Sequence, residues 1–314
     1  MMNESFALGI DLGGTNTSFG VINARGDIIA KGHMPTVGHA TVEDYVTALK
    51  NNLEPLFDIV GKANIVGAGI GAPNGNFFTG EIVFAPNLPW KGVIPLAKLL
   101  SGATGIKTVL TNDANAAAIG EMIYGAAKGM KDFIVVTLGT GLGSGFVANG
   151  QMIYGHDGLA GELGHVIAVR DGRKCNCGRN GCLERYASAT GIVITAELWL
   201  DERSDATILR SNKENLTAKM IQDAAQQGDA FALELYEFTG KILGQSLADA
   251  VAITSPEAII FFGGLARGGD LIIGPTGKYM EENLLHIYKN KVALLQSTLP
   301  DADAAILGAS ALVW

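Results

Sequence analysis

Between Gly161 and Glu184 the chain runs G-E-L-G-H and then, after a spacer, C-N-C-G-R-N-G-C-L-E. Its three cysteines, Cys175, Cys177 and Cys182, fall within eight residues, and His165 lies ten positions before the first. One imidazole and three thiolates are the four ligands of a closed tetrahedral zinc site, which leaves no position for water and so makes the metal structural. Glu162 and Glu184 flank the same cluster. Carboxylates aimed by a rigid loop can hold the vicinal hydroxyls of a sugar. His165 could bind zinc through one ring nitrogen and donate to a sugar oxygen from the other. The competing reading is a metal knot that is structural only, with both glutamates solvated.

Asn112-Asp113 falls where a buried strand gives way to an Ala-rich helix. Asp113 there is either the helix N-cap or a general base that takes a proton from a substrate hydroxyl, with Asn112 orienting the acceptor. Two glycine turns complete the candidates: Asp11, Gly13, Gly14, Thr15 and Asn16 in one, Gly139, Thr140 and Gly141 in the other. Such turns let an anion approach backbone N–H groups, so a polyphosphate held between them is expected. The first turn carries Asp11 where the second carries Thr137. A carboxylate beside a phosphate calls for a cation, which makes Asp11 a Mg²⁺ partner; the alternative is that it bonds the amides of its own turn. No G-x-x-x-x-G-K-[ST] is present, and the second turn leads into a strand rather than a helix, which excludes P-loop and Rossmann sites.

These residues need a scaffold of some size. The chain has 314 residues, 48% hydrophobic and 17% charged, with 42 glycines, enough for two cores. A formal charge of −8 excludes a nucleic-acid surface or an anionic membrane partner. The polar Met1–Ser5 start is expected to carry no signal peptide, and no apolar run is long enough to span a bilayer. An odd, clustered set of cysteines points to the reducing cytoplasm. Strands are expected at Phe6–Ile10, Ser18–Asn23, Ile28–Lys31, Ile65–Gly71, Lys107–Thr111, Phe133–Leu138 and Ala258–Phe262. Helices are expected at Thr41–Val60, Asp113–Tyr124, 216–227 and 229–252. Ile10–Asn23 aligns without gaps on Val136–Asn149, 126 residues on. That reads as a duplicated strand–turn–strand unit, against chance likeness of glycine-rich hairpins.

Taken together, L-G-I-D-L-G-G-T-N at 8–16, N-L-P-W at 87–90, N-D-A-N at 112–115, L-G-T-G-L-G-S-G at 138–145, A-G-E-L-G-H at 160–165, the cysteine motif at 175–184 and G-G-L at 263–265 resemble the ROK group of sugar kinases and repressors. That group lies within the actin-like/hexokinase ATPase superfamily. The resemblance implies an α/β fold of two RNase H-like lobes about a central cleft, residues 1–115 with 300–314 forming one and 116–299 the other. It implies ATP-dependent phosphorylation of a hexose, foremost glucose to glucose 6-phosphate, in a homo-oligomer (dimer or tetramer). Asp113 becomes the base; Asn112, Asp113, Glu162, His165 and Glu184 become sugar contacts. Zinc falls to His165, Cys175, Cys177 and Cys182. Gly263 and Gly264 come to lie near adenosine, and a helix ending at Gly308–Leu312 packs back on the first lobe. Where many relatives carry Gly directly after Gly71-Ala72-Pro73, this chain has Asn74-Gly75 on the sugar's far side. Kinases of N-acylhexosamine, mannose or fructose are the alternatives within the group. A sugar-responsive regulator of the same group is the alternative from a different functional class, and it is disfavoured because its DNA reader would precede the first strand.

Overall fold

The structure, a computed structural model, describes residues 4–300 and 303–314. The leader reading of residues 1–3 and the 301–302 stretch of the expected tail segment lie outside the described residues. Strands β1 (Phe6–Leu12), β2 (Asn16–Asn23) and β3 (Ile28–Pro35) form an antiparallel meander. Helix α1 (Val42–Val60) then carries the chain to β4 (Ile65–Ala72), parallel to β1. A small sheet of β5 (Gly75–Asn76), β6 (Glu81–Val83) and β7 (Val93–Ile94) follows. After it come α2 (Leu96–Thr104), β8 (Thr108–Asn112) parallel to β4, and α3 (Asp113–Ile123).

The scheme then recurs. Strands β9 (Phe133–Leu138), β10 (Leu142–Ala148) and β11 (Gln151–Met152) make a second antiparallel meander. Helices α4 (Ala189–Glu202), α5 (Ala218–Gln226) and α6 (Ala230–Thr254) lead to β12 (Ala258–Phe262), parallel to β9. Helix α7 (Asp270–Asn283), β13 (Ala293–Gln296) parallel to β12, and α8 (Ala304–Ala311) close the chain. The sheet orders are β3-β2-β1-β4-β8 and β11-β10-β9-β12-β13, with matching strand directions. Each sheet supports its own core, around Leu8, Tyr45 and Leu53 in the first and Val136, Leu243 and Phe261 in the second. Strands β1 and β9 read as nearly continuous apolar runs because each is central in its sheet and buried on both faces. Among the described residues no helix is long and apolar enough to cross a membrane.

The gapless repeat needs a correction. The first hairpin pairs Leu12 with Thr17 and leaves four residues in its turn, whereas the second pairs Leu138 with Leu142 and leaves three. The duplicated unit is present in topology, but its second arms match only with a one-residue gap.

Helices α3 and α8 exchange partners between the sheets: α8 lies on β1 and β4, and α3 on β9 and β10. They cross each other where a Cβ on Gly120 would stand 2.7 Å from the Cα of Gly308, so the contact needs glycine on both sides. The expected return of the C-terminal helix to the first lobe is present here. Helices α2, α4 and α7 and strand β13 had no counterpart in the sequence expectations. Helix α7 carries Pro275 inside it, and α4 opens on Gly191 and β-branched residues, both of which weaken a helical reading.

Candidate active site

A cavity of about 810 Å³ lies between the lobes, where β8, β9 and β12 end. Strand β8 delivers Asn112 and Asp113 to it. The cap is Asn112, not Asp113: Asn112 has extended backbone, and its Oδ1 accepts the Ala114 N–H at 2.8 Å. Asp113 is the first helical residue, and its own Oδ1 accepts from the same N–H at 2.8 Å. Its carboxyl opens on the cleft while both lobes crowd it at longer range. That desolvation raises its pKa, opposed by the Ala114 N–H. Asp11 sits close enough to Asp113 to feel its charge. Burial and that charge together push Asp11 up to about 6.

Glu162, His165 and Glu184 line the same cavity from the second lobe. Burial raises the Glu162 pKa; His165 opposes this, and the charges of Asp113 and Glu184 add to it. The residues expected to touch a sugar are therefore neighbours electrostatically as well as along the cavity wall. Gly139, Thr140, Gly141 and Gly263 also line it. The turn is tied by Gly139 N–H donating to Gly141 O at 3.1 Å, and Gly141 abuts the Glu184 carboxylate. The first turn stands apart. Asp11, Gly13, Gly14, Thr15 and Asn16 are not among the lining residues, and the Asn87 carbonyl covers Gly14 so closely that a Cβ there would stand 2.7 Å from it. Gly264 is exposed and outside the lining as well.

His165, Cys175, Cys177 and Cys182 converge, with their ligand atoms all within 4.8 Å of one another. Cys177 Sγ is 3.5 Å from Cys182 Sγ, and Cys175 Sγ is 3.8 Å from His165 Nδ1. A tetrahedron with arms of about 2.3 Å has edges of about 3.8 Å, so the set is compatible with zinc. His165 turns Nδ1 to the sulfurs, which leaves Nε2 for the cavity that the residue lines. Glu184 links the two features, since it follows Cys182 by two residues and its Oε1 accepts from the Cys175 thiol at 3.1 Å, a bond that a zinc-bound thiolate would give up. The loop is held by short bridges, Ile167 to Cys182 and Lys174 to Asn180. Arg173 braces it from outside, stacked 4.4 Å over the Tyr186 ring and donating to Arg185 O at 2.8 Å.

Sequence reasoning missed Asn87, Asn115 and Ser144 as cavity residues. Asn115 was within reach, since it stands one helical turn after Asn112 in N-D-A-N. Asn74, singled out as a departure, lines the cavity with φ of 52°, a left-handed conformation that asparagine tolerates in place of glycine. Its Nδ2 donates to Val83 O at 3.0 Å.

Twin sheets of identical order, crossed by α3 and α8 and facing each other across a cleft, are the architecture of the actin-like ATPase fold. The model of the ROK family matches residues 7–314. A glucokinase of Halalkalibacterium halodurans is 34% identical over 322 residues, covering 99% of this chain and 96% of that one. One from Thermotoga maritima is 34% identical over 98% of this chain and 96% of its own length. The solved ROK glucokinase of Streptomyces griseus, in complex with glucose and AMPPNP, superposes with a TM-score of 0.80 at 31% identity, covering 98% of this chain and 99% of that one. This chain belongs to the ROK family.

Proposed function

We propose that this protein is an ATP-dependent hexose kinase that converts glucose to glucose 6-phosphate, with Asp113 as general base. The observation that carries the reading is the convergence of Asp113 with Asn112, Glu162, His165 and Glu184 in one cavity that the Gly139–Gly141 turn also lines. Glucokinase relatives matched over nearly the whole chain support both the reaction and the sugar.

In this reading Asn112, Glu162, His165 and Glu184 hold the sugar so that its 6-hydroxyl meets Asp113. As the oxygen attacks the γ-phosphorus, the proton passes to the Asp113 carboxylate and the bond to the ADP oxygen breaks. A base with a raised pKa is better matched to that proton than an ordinary aspartate. Backbone N–H groups of Gly139, Thr140 and Gly141 bind phosphate oxygens, and Gly263, with Gly264, lies towards the adenosine. Asp11, with Gly13, Gly14, Thr15 and Asn16, completes the phosphate side on the first lobe. Two adjacent carboxylates, Asp11 and Asp113, leave negative charge that a cation offsets, so Asp11 would hold Mg²⁺, which neutralises phosphate charge. His165, Cys175, Cys177 and Cys182 would hold a structural zinc that fixes Glu184. We take residues 1–115 with 300–314 as one lobe and 116–299 as the other.

The test is ADP release across glucose, mannose, fructose, N-acetylglucosamine and N-acetylmannosamine. Glucose is expected to give the highest kcat/KM. A higher value with another sugar moves the assignment to that sugar, and ADP release with none of them ends the kinase reading.

A further inference from the structure

Two loops without a catalytic or metal-binding group meet across the sugar side of the cleft. Asn76, on β5, is buried, and its Nδ2 donates to Asp157 O in the second lobe at 2.6 Å. Its Oδ1 accepts from the N–H groups of Phe78 and Thr79, at 3.0 and 3.2 Å, so one side chain both shapes its own turn and reaches the other lobe. Gly158 comes so close that a Cβ on it would stand 2.6 Å from Asn76 Oδ1.

Beside this contact the Phe77 ring stacks on Tyr154, with centroids 4.1 Å apart and planes 7° from parallel. Phe78 meets the same Tyr154 edge-on at 5.9 Å. The Tyr154 hydroxyl lies beside the Thr111 side chain, one residue before Asn112. Ala160 N–H donates to Tyr154 O at 3.1 Å, closing a loop that ends immediately before Gly161-Glu162. The two loops, through Asn74, Gly75, Gly158 and Ala160, wall a chamber of about 280 Å³ that opens on Asn112, Glu162 and His165.

We infer that the Phe77–Tyr154 stack and the Asn76–Asp157 hydrogen bond form a latch between the lobes that positions the Glu162–His165 segment against Asn112 and so sets sugar affinity. The inference rests on the sugar-kinase reading. Phe77 and Tyr154 are positioning residues: neither lines the cavity that holds the base and the second glycine turn. Loosening the latch misplaces sugar contacts before the chemical step, whereas the phosphate turns stand on other elements.

Phe77→Ala is therefore expected to raise the KM for glucose roughly three- to tenfold, the worth of one aromatic pair. At saturating glucose kcat should stay within about twofold of wild type. The KM for ATP and the zinc content should be unchanged, and Phe77→Tyr should restore the glucose KM. In ligand-free protein, amide hydrogen exchange of residues 154–162 should speed up in Phe77→Ala, a readout that needs no substrate. Unchanged exchange overturns the latch. Faster exchange with an unchanged glucose KM overturns its role in sugar binding, and so does a parallel rise in the KM for ATP. Should wild type turn over no hexose, the kinase reading fails by itself while the exchange measurement still decides whether the two loops are coupled. If Phe77→Ala does not fold, Phe77→Leu with the same measurements takes its place.

Discussion

Asn112 and Asp113 divide between them two tasks that the sequence left to one residue. The helix cap belongs to Asn112, which accepts the Ala114 N–H, while Asp113 shares that N–H through Oδ1 and lines the cleft. Replacing Asp113 by Asn should therefore leave thermal unfolding close to wild type while lowering kcat by about 10²- to 10⁴-fold, with glucose affinity nearly kept. Near-normal turnover in Asp113→Asn would return the residue to a purely structural role. Asp11 makes a second prediction through pH. Its pKa is raised to about 6, so the fold favours the protonated form. Its stability contribution is full below the ordinary aspartate value of 3.8 and is lost as pH rises through about 6. Asp11→Asn should accordingly stabilise the magnesium-free protein at pH 8, and that gain should shrink as pH falls through 6, while turnover is lost at every pH. Thermal unfolding of both proteins across this range measures it, and a gain that does not change with pH contradicts the shift. Chemistry of this kind was legible where a residue type has few uses, as with three cysteines and a histidine. Asn87 was not legible as a cavity residue, because an asparagine amide serves turns, caps and ligands alike.

The segment from Glu162 to Glu184 contains only short 3₁₀ turns, Leu163–His165 and Leu183–Arg185, and isolated bridges, so it owes its shape to the cluster at its centre. Cys177 is the exposed member of the set, while Cys175 and Cys182 are buried. Cys177→Ser should lower zinc content below one per chain and reduce the unfolding temperature. It should also raise the KM for glucose by about tenfold or more, because Glu184 stands two residues after the zinc ligand Cys182. Metal analysis and glucose saturation check this, and zinc absent from unchelated wild-type protein removes the basis of the argument. Periodicity located the elements whose apolar faces are regular: α1 buries Tyr45, Val46, Leu49, Leu53, Leu56 and Phe57, the face its spacing predicted. It could not locate β5 and β7, which at two residues each have no period to detect. Helix α7 was hidden by Gly274, Pro275 and Gly277. Gly240 and Gly244 of α6 lie against Pro275, Thr276 and Met280, so it is the glycines of α6 that let the two helices approach.

At the scale of the whole molecule, the duplicated sheets set two walls of unlike chemistry about one cleft. Asn112 and Asp113 come from the end of the first sheet, while Glu162, His165 and Glu184 belong to the loops of the second. A sugar held by both sets makes its full complement of contacts only when the walls are close, so it binds the closed form better and shifts the population towards it. Closure also keeps water from competing with the sugar hydroxyl for the γ-phosphoryl group. The α3–α8 crossing is the natural axis, because each helix lies on the sheet of one lobe and they meet at Gly120 and Gly308. Glucose alone should therefore reduce the radius of gyration measured by solution scattering. ATP–Mg²⁺ alone should do less, since of its expected contacts only the Gly139–Gly141 turn and Gly263 line the cavity, and they lie on one wall. Glu184→Ala, which removes one wall's hold on the sugar, should blunt the response to glucose. Asp11→Ala should leave that response largely intact while abolishing turnover, because Asp11 is proposed to hold Mg²⁺ and not the sugar. A scattering profile unchanged by saturating glucose, in protein that turns over normally, would show that the lobes do not need to close around the sugar.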